Sequence, residues 1–368
     1  MNDGVRTSRS APWHIMAIAF GVASASLWLS FFIAPLFLIP LQAAYGRLGK
    51  RGGWVATGAS VLVLLPALLW RVLASGTPIV PLDIVGALAF PLACLAAIVL
   101  FNAAFLGRVA PAYRILAIGL AVGALSAPTI ASMLADANLK NALVGSVSQL
   151  VEQFKGVLAK AGGIQGAPAN GMATSATAAT SATAATAATA ATSAEGYDSA
   201  ALVASLDPGR MVATALTAFS SCYVALICLL FGASWWIGNR IAGKESAGLK
   251  LAPPISEFRA PETLVWPFLA SLGLLFIALY FKAGPLARAF AWNLVLAMSL
   301  VYAAQGVGIV AHILVRWRVP RGFRIAFAVS VVVSAMGSPI GAVFVAILPL
   351  LGVTELWIPY RNPKGVGA

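Results

Sequence analysis

Long apolar runs separated by short polar connections dominate the chain. A helix that crosses a lipid bilayer needs about 20 apolar residues, because only a helix satisfies its own backbone hydrogen bonds there. The pattern predicts nine candidate spans, at residues 14–29, 31–46, 53–73, 82–105, 112–133, 211–237, 263–281, 289–315 and 325–351. The chain is therefore predicted to be an all-α integral membrane protein, a bundle of eight or nine transmembrane helices.

The count depends on residues 14–46, which could form one long helix or two short ones. Pro35 and Pro40 interrupt the apolar pattern and favour two segments. With two segments, the basic N-terminus and the basic loop at 47–51 lie on the same side of the membrane, as the positive-inside rule expects. That side then collects 15 of the 24 basic residues. We therefore expect a cytoplasmic N-terminus and an uncleaved first helix, while the side of the C-terminus stays open.

One connection, at about 134–210, is far longer than the others. Its first part, 139–161, has apolar residues at helical spacing and predicts an amphipathic helix on the membrane face. Residues 173–193 are almost wholly Ala, Thr and Ser, which predicts a disordered spacer. A short helix is expected at 197–206. The predicted organisation is a cytoplasmic N-terminus (1–12), N-terminal membrane helices (13–133), an exterior loop (134–210), C-terminal membrane helices (211–352) and a C-terminal tail (353–368).

Composition supports lipid as the main solvent of the chain. It is 60% hydrophobic and 10% charged, whereas soluble domains carry about 25% charged residues. The net charge of +13 is explained by Lys and Arg in loops between apolar runs, where anionic lipid head groups favour them. The expected partner is therefore the lipid bilayer, and nucleic acid is not expected.

Motifs for enzymatic chemistry are missing from the sequence. There is no HExxH, no GxSxG and no phosphate-binding GxxxxGK[ST]. The three cysteines, Cys94, Cys222 and Cys228, lie in apolar runs without a CxxC pair, and only two histidines are present. We therefore expect no enzyme, no metal site, no cofactor and no energy source of the chain's own.

Three stretches of the C-terminal half carry a resemblance to a known family. They are Pro254-Ile-Ser-Glu257-Phe-Arg259-Ala-Pro261 with Trp266-Pro267; Trp292-Asn293 leading through Tyr302 to Gln305-Gly306; and Leu351-Gly352-Val-Thr-Glu355-Leu-Trp357 ending in Arg361. In this order and spacing they resemble the YybS-like family of uncharacterised bacterial polytopic membrane proteins, over most of the chain. That family usually has Asp near Glu355, and the Ala/Thr tract is not typical of it.

The resemblance implies a multi-pass protein of the bacterial cytoplasmic (inner) membrane. Members of the family look distantly similar to the substrate-binding (S) components of energy-coupling-factor vitamin transporters. In S-components, a small-residue face on the first helix docks the membrane-embedded coupling subunit. Ala17, Gly21 and Ala25 are spaced by four on the first helix, a spacing that lets helix backbones approach closely. They are a candidate partner face for such a coupling subunit; the alternative is ordinary packing within the chain.

The 289–315 span is the most polar of the long helices. At 100° per residue, Tyr302, Gln305 and His312 fall within roughly 80° of one another. A polar stripe must face protein or water, because exposure to hydrocarbon costs several kcal/mol. These three residues are candidate ligand-binding residues in a cavity. The alternative is hydrogen bonding between helices, and His312 lies close enough to a basic loop to reach the membrane interface.

A basic cluster follows this span and consists of Arg316, Arg318, Arg321 and Arg324. It is foremost a signal of topology, and binding of acidic lipids is its functional alternative. Together the patterns favour a small-molecule binding or transport component that depends on partners for energy. The alternative, from another class, is a non-transporting membrane scaffold or assembly factor. The unknown small molecule cannot be named from the sequence.

Overall fold

The computed structural model describes residues 12–30, 33–74, 81–103, 109–163, 207–243, 254–335 and 339–361. Within these ranges the chain forms ten α-helices and no strand: α1 (Trp13–Leu29), α2 (Leu38–Ala74), α3 (Pro81–Phe101), α4 (Pro111–Ala135), α5 (Ala137–Gly163), α6 (Pro208–Ala242), α7 (Val265–Tyr280), α8 (Pro285–Arg316), α9 (Arg321–Ala335) and α10 (Pro339–Thr354). The predicted all-α class is confirmed. The Ala/Thr tract at 173–193 and the helix expected at 197–206 lie outside the described residues.

Several of these helices suit a lipid environment. Within the part of the chain that the structure describes, five helical segments are long and apolar enough to cross a membrane, namely Ala34–Trp70, Pro111–Ser132, Pro208–Ala242, Glu262–Tyr280 and Pro285–Arg316. Large apolar side chains cover their outer surface, such as Leu62, Phe276 and Leu286, which are 76%, 68% and 83% exposed. In water this exposure would be costly, whereas lipid tails accept it. The chain is thus a membrane protein with several apolar helices, while the expected count of eight or nine spans is not confirmed.

Two predicted spans differ from the structure. The chain does leave α1 before Pro35, but residues 31–46 do not form a span of their own, since α2 begins at Leu38 and continues past this region. Its helical geometry is interrupted at Gly49, where φ is +71°, a conformation that glycine adopts without a Cβ penalty. The expected continuous span at 325–351 was also wrong. Two helices, α9 and α10, replace it, and Pro339 starts the second because its ring fits a first helical turn but not a helix interior.

The described residues fall into two compact units. The first comprises the described residues within Met1–Ile130 and Ser220–Ala368, and the second comprises those within Ala131–Phe219. In the first unit, one apolar core joins α1, α2, α3, α4 and α6 around side chains such as Phe37 and Leu41. Another joins α4, α6, α7, α8 and residues 258–264 around Tyr302 and Phe268. This second core lies beside the polar groups described below.

The second unit contains the predicted amphipathic segment. Helix α5 covers 137–163, a range that includes the predicted helical segment at 139–161. Val151 is buried, whereas Leu150, Phe154 and Val157 are exposed apolar side chains. An exposed apolar stripe is typical of a helix that lies on a membrane, and its location there stays a prediction.

Candidate functional site

The three stretches that carry the family resemblance meet at the Arg361 side chain. Its Nη1 donates to the backbone carbonyls of Ser256 and Phe258 at 2.8 and 2.9 Å. Its Nη2 donates to the Gln305 carbonyl and to Glu355 Oε2, both at 3.0 Å. A guanidinium offers five donors in a rigid fork, so one side chain can hold three separate segments together. Residues 353–361, expected to be a tail, are therefore fixed against residues 256–258 and α8.

The charge of Arg361 is balanced by Glu355. The Arg361 Nε lies 2.9 Å from Glu355 Oε1, and the two side chains are only 4% and 5% exposed. Burial lowers the pKa of Arg361, and the adjacent Glu355 carboxylate opposes that shift. A buried ion pair is tolerated when further hydrogen bonds satisfy its other atoms. The surrounding carbonyls and Gln305 supply such bonds to Arg361 Nη1 and Nη2 and to Glu355 Oε2, whereas Arg361 Nε and Glu355 Oε1 meet only in the ion-pair contact.

Gln305 completes this polar network. Its Nε2 donates to Glu355 Oε2 at 2.8 Å, and its Oε1 accepts from the Ala260 backbone N–H at 2.9 Å. The residue is 2% exposed. Both ends of its amide are used within the protein, by the Ala260 backbone in the loop before α7 and by Glu355 just after α10. We call Gln305, Glu355 and Arg361 the polar network.

Two glycines let α10 lie directly on α8. A Cβ added at Gly306 would overlap the backbone carbonyl oxygen of Leu348, and one at Gly352 would overlap that of Tyr302. The paired contacts show that the two helices run antiparallel. Backbones approach this closely only where no Cβ intervenes. From the sequence, Gly306 was expected to let a neighbouring group come close to Gln305. The sequence could not pair it with Gly352, because their spacing of 46 residues has no local meaning.

Asn293 forms hydrogen bonds with the backbone of a third helix, α6. Its Nδ2 donates to the Ser220 carbonyl at 2.7 Å, and its Oδ1 accepts from the Val224 N–H at 2.9 Å. Those two backbone groups are the i and i+4 partners of a regular helix, so the Asn293 amide is inserted at one rung of α6. Such insertions are a recognised cause of helix kinks.

The other two candidate ligand-binding residues, Tyr302 and His312, do not share a cavity. Tyr302 is fully buried beside Phe268, with ring centroids 5.2 Å apart, and its hydroxyl has no hydrogen-bond partner among the described residues. His312 is half-buried. Tyr302 and Gln305 share one core face of α8, as their spacing predicted, whereas His312 takes no part in the polar network.

A cavity opens on another face of α8. It has a volume of about 630 Å³, within the range of about 300–1,000 Å³ typical of small-molecule sites. Residue 307 lies two positions after Gln305 and therefore about 160° around the helix from it. The walls are mainly aliphatic and come from α8, α9, α10 and residues 254–256; those from α8 are Val307, Val310, Ala311, Leu314 and Val315. None of Tyr302, Gln305 and His312 lines this cavity.

The polar groups of the cavity are few and basic. Its polar lining side chains are Ser256, Arg240, Arg321 and Arg324, and no acidic residue of the described ranges lines it. Arg240 lies over the Trp236 ring, with its guanidinium carbon 5.0 Å from the ring centroid. The Arg324 Nε is buried and has no acceptor among the described residues. The sequence assigned Arg321 and Arg324 to a basic cluster, but it could not show that Arg240, some 80 positions earlier, joins them.

The small-residue stripe of α1 is covered by α2. Ala17, Gly21 and Ala25 are buried, and a Cβ at Gly21 would overlap the backbone carbonyl oxygen of Ala56. Ser24, on the same side, donates to the Phe37 carbonyl at 2.7 Å. In this chain the stripe makes the internal packing that was the alternative to a partner face.

Fold and surface together define an α-helical membrane protein with a polar network and an apolar cavity on two faces of one helix. Residues 174–351 match a family model described as "Predicted membrane protein (DUF2232)". The matched segment includes α6 to α9 and most of α10, and it ends four residues before Glu355. No curated protein and no solved structure matches the chain.

Proposed function

We propose that the chain is a small-molecule-binding component of a membrane system, embedded in a bacterial cytoplasmic membrane and without an energy source of its own. The observation that carries the proposal is the cavity of about 630 Å³ beside α8. A mainly apolar pocket with a small number of polar groups is the usual form of a ligand site. Dependence on a coupling subunit is the part that the resemblance to S-components implies.

Filling the cavity tests the proposal. Ala311 lines it, so Ala311→Phe would occupy volume that a ligand needs. Ala287 lies on the same helix but is exposed, so Ala287→Phe adds the same group outside the cavity. Native mass spectrometry of gently solubilised protein should detect a bound small molecule in the wild type and in Ala287→Phe, but not in Ala311→Phe. Wild-type protein without bound small molecules, or Ala311→Phe with undiminished ligand, would contradict the proposal.

A second candidate function is a non-transporting scaffold or assembly factor. It is favoured by the close contact of α8 and α10 at Gly306 and Gly352 and by a polar network whose groups bond within the chain. A closely packed interior suits a scaffold, because a scaffold binds its partner proteins through its outer surface. The same mass spectra distinguish the two: a retained protein partner with no cavity-dependent small molecule favours the scaffold.

A further inference from the structure

The basic groups of the cavity limit what can occupy it. Among the residues that the structure describes, three arginines and no acid line it, so these walls bring like charges together without a counter-charge of their own. The two ion pairs of the described residues, Lys155–Glu152 and Arg361–Glu355, involve none of them. Arg240 and Arg321 are exposed, whereas the Arg324 Nε is buried and has no acceptor among the described residues. A buried cationic group is costly when it is unpaired, and an anion at Arg324 would relieve that cost.

The apolar walls exclude a simple anion as the best occupant. A hydrated inorganic phosphate would have to lose water against aliphatic side chains such as Val307, Val310 and Leu314, and this desolvation is unfavourable. A neutral hydrocarbon would match those walls but would leave the guanidinium groups unpaired. A molecule that combines an apolar chain with one anionic group satisfies both parts of the cavity.

We propose that the cavity binds an anionic lipid from the surrounding bilayer, with an acyl chain against the α8 wall and its phosphate at Arg240, Arg321 and Arg324. This inference rests on the proposed function, since it names the ligand class of the same site. Arg324 is the central contact, because its buried Nε lacks an acceptor among the described residues. Arginine suits phosphate particularly well, since its planar donors can bond two oxygens at once.

The test measures lipid binding to the full chain purified in a neutral detergent. Phosphatidylglycerol, phosphatidylcholine with the same acyl chains, and inorganic phosphate are titrated separately, and bound lipid is counted by native mass spectrometry. Phosphatidylglycerol should bind at least about tenfold more tightly than phosphatidylcholine, and inorganic phosphate should not compete at millimolar concentration. One charge-assisted contact accounts for roughly a tenfold change.

Two matched variants locate the anionic group. Arg324→Gln should weaken phosphatidylglycerol binding about tenfold and leave phosphatidylcholine binding unchanged. Arg318→Gln removes one charge from the same basic cluster, but Arg318 is exposed and does not line the cavity, so binding should change little. Equal losses in the two variants would mean general attraction to a basic surface and would overturn the inference.

The remaining outcomes separate this inference from the proposed function. If both lipids bind equally well and Ala311→Phe removes them, the cavity is a ligand site without anion recognition, and only the lipid assignment fails. Competition by inorganic phosphate alone would identify a free anion as the ligand and would also overturn the lipid assignment. If Ala311→Phe leaves all binding intact, the cavity is not the site and both proposals fail.

Discussion

Polar groups lie beside two faces of α8, and the two sets differ in whether the protein supplies their hydrogen-bond and charge partners. On one face, Gln305 joins Glu355 and Arg361, where donors and acceptors meet at 2.8–3.0 Å. On the other face, Arg240, Arg321 and Arg324 border an apolar cavity whose described lining contains no acidic side chain. A satisfied buried network rigidifies a structure, whereas unsatisfied groups beside a void mark a place where something else can bind. Polarity alone therefore does not identify a ligand site; the state of its hydrogen bonds does.

The largest effect is expected from removing the cation of the polar network. Arg361→Leu leaves Glu355 buried without its charge partner, which should lower the free energy of unfolding by about 3–5 kcal/mol. The measurement is thermal unfolding in a mild detergent. Arg288→Leu, at an exposed arginine of α8, is the control and should stay within about 0.5 kcal/mol of the wild type.

The double variant Glu355→Leu/Arg361→Leu sharpens this test. It removes both charges, so it should be less destabilised than Arg361→Leu alone. If Arg361→Leu melted like the wild type, the contrast between the two faces would be lost, because the network would then contribute nothing to the fold.

A somewhat smaller loss is expected where α8 and α10 touch. Gly306→Ala places a methyl group against the Leu348 carbonyl, and separating the two helices should cost about 3 kcal/mol, at the upper end of overpacking. Gly273→Ala is the matched control, because a Cβ there meets open space. It should be neutral or up to about 1 kcal/mol more stable, since Ala favours helix over Gly. Similar melting temperatures for the two variants would show that the close helix contact is wrong.

Gln305→Leu separates stability from binding. It leaves the buried Ala260 N–H without its acceptor, which should cost about 1–2 kcal/mol. Retention of the cavity ligand should not change, because Gln305 does not line the cavity. The two readouts are melting temperature and ligand retained after gentle solubilisation. Normal stability with lost ligand would restore Gln305 as a binding residue and reverse our interpretation of this face.

The smallest effect is expected at His312. It is half-buried and outside both the polar network and the cavity lining, so His312→Leu should alter stability by no more than about 0.5 kcal/mol. Ligand retention should equal that of the wild type. Loss of ligand in this variant alone would mean that the polar stripe extends to His312 and reaches a site that the cavity does not include.

The sequence by itself determined the helical class and much of the helix placement, because a backbone in lipid must form its own hydrogen bonds. It also singled out Tyr302 and Gln305 as neighbours on one face, since helical periodicity is local. It failed at residues 325–351, where apolar composition continues across the break between α9 and α10, so hydropathy alone predicted one span.

Only the tertiary structure decided what each polar group does. Gln305 meets Glu355 and Arg361 across 50 and 56 positions. Of the cavity's three arginines, Arg240 comes from α6, whereas Arg321 and Arg324 come from α9. Such contacts depend on how helices pack, and the periodicity of one helix carries no information about which partner lies opposite. An amide in a network and an amide in a ligand site look alike in sequence; they differ in whether the fold supplies a partner for every donor and acceptor.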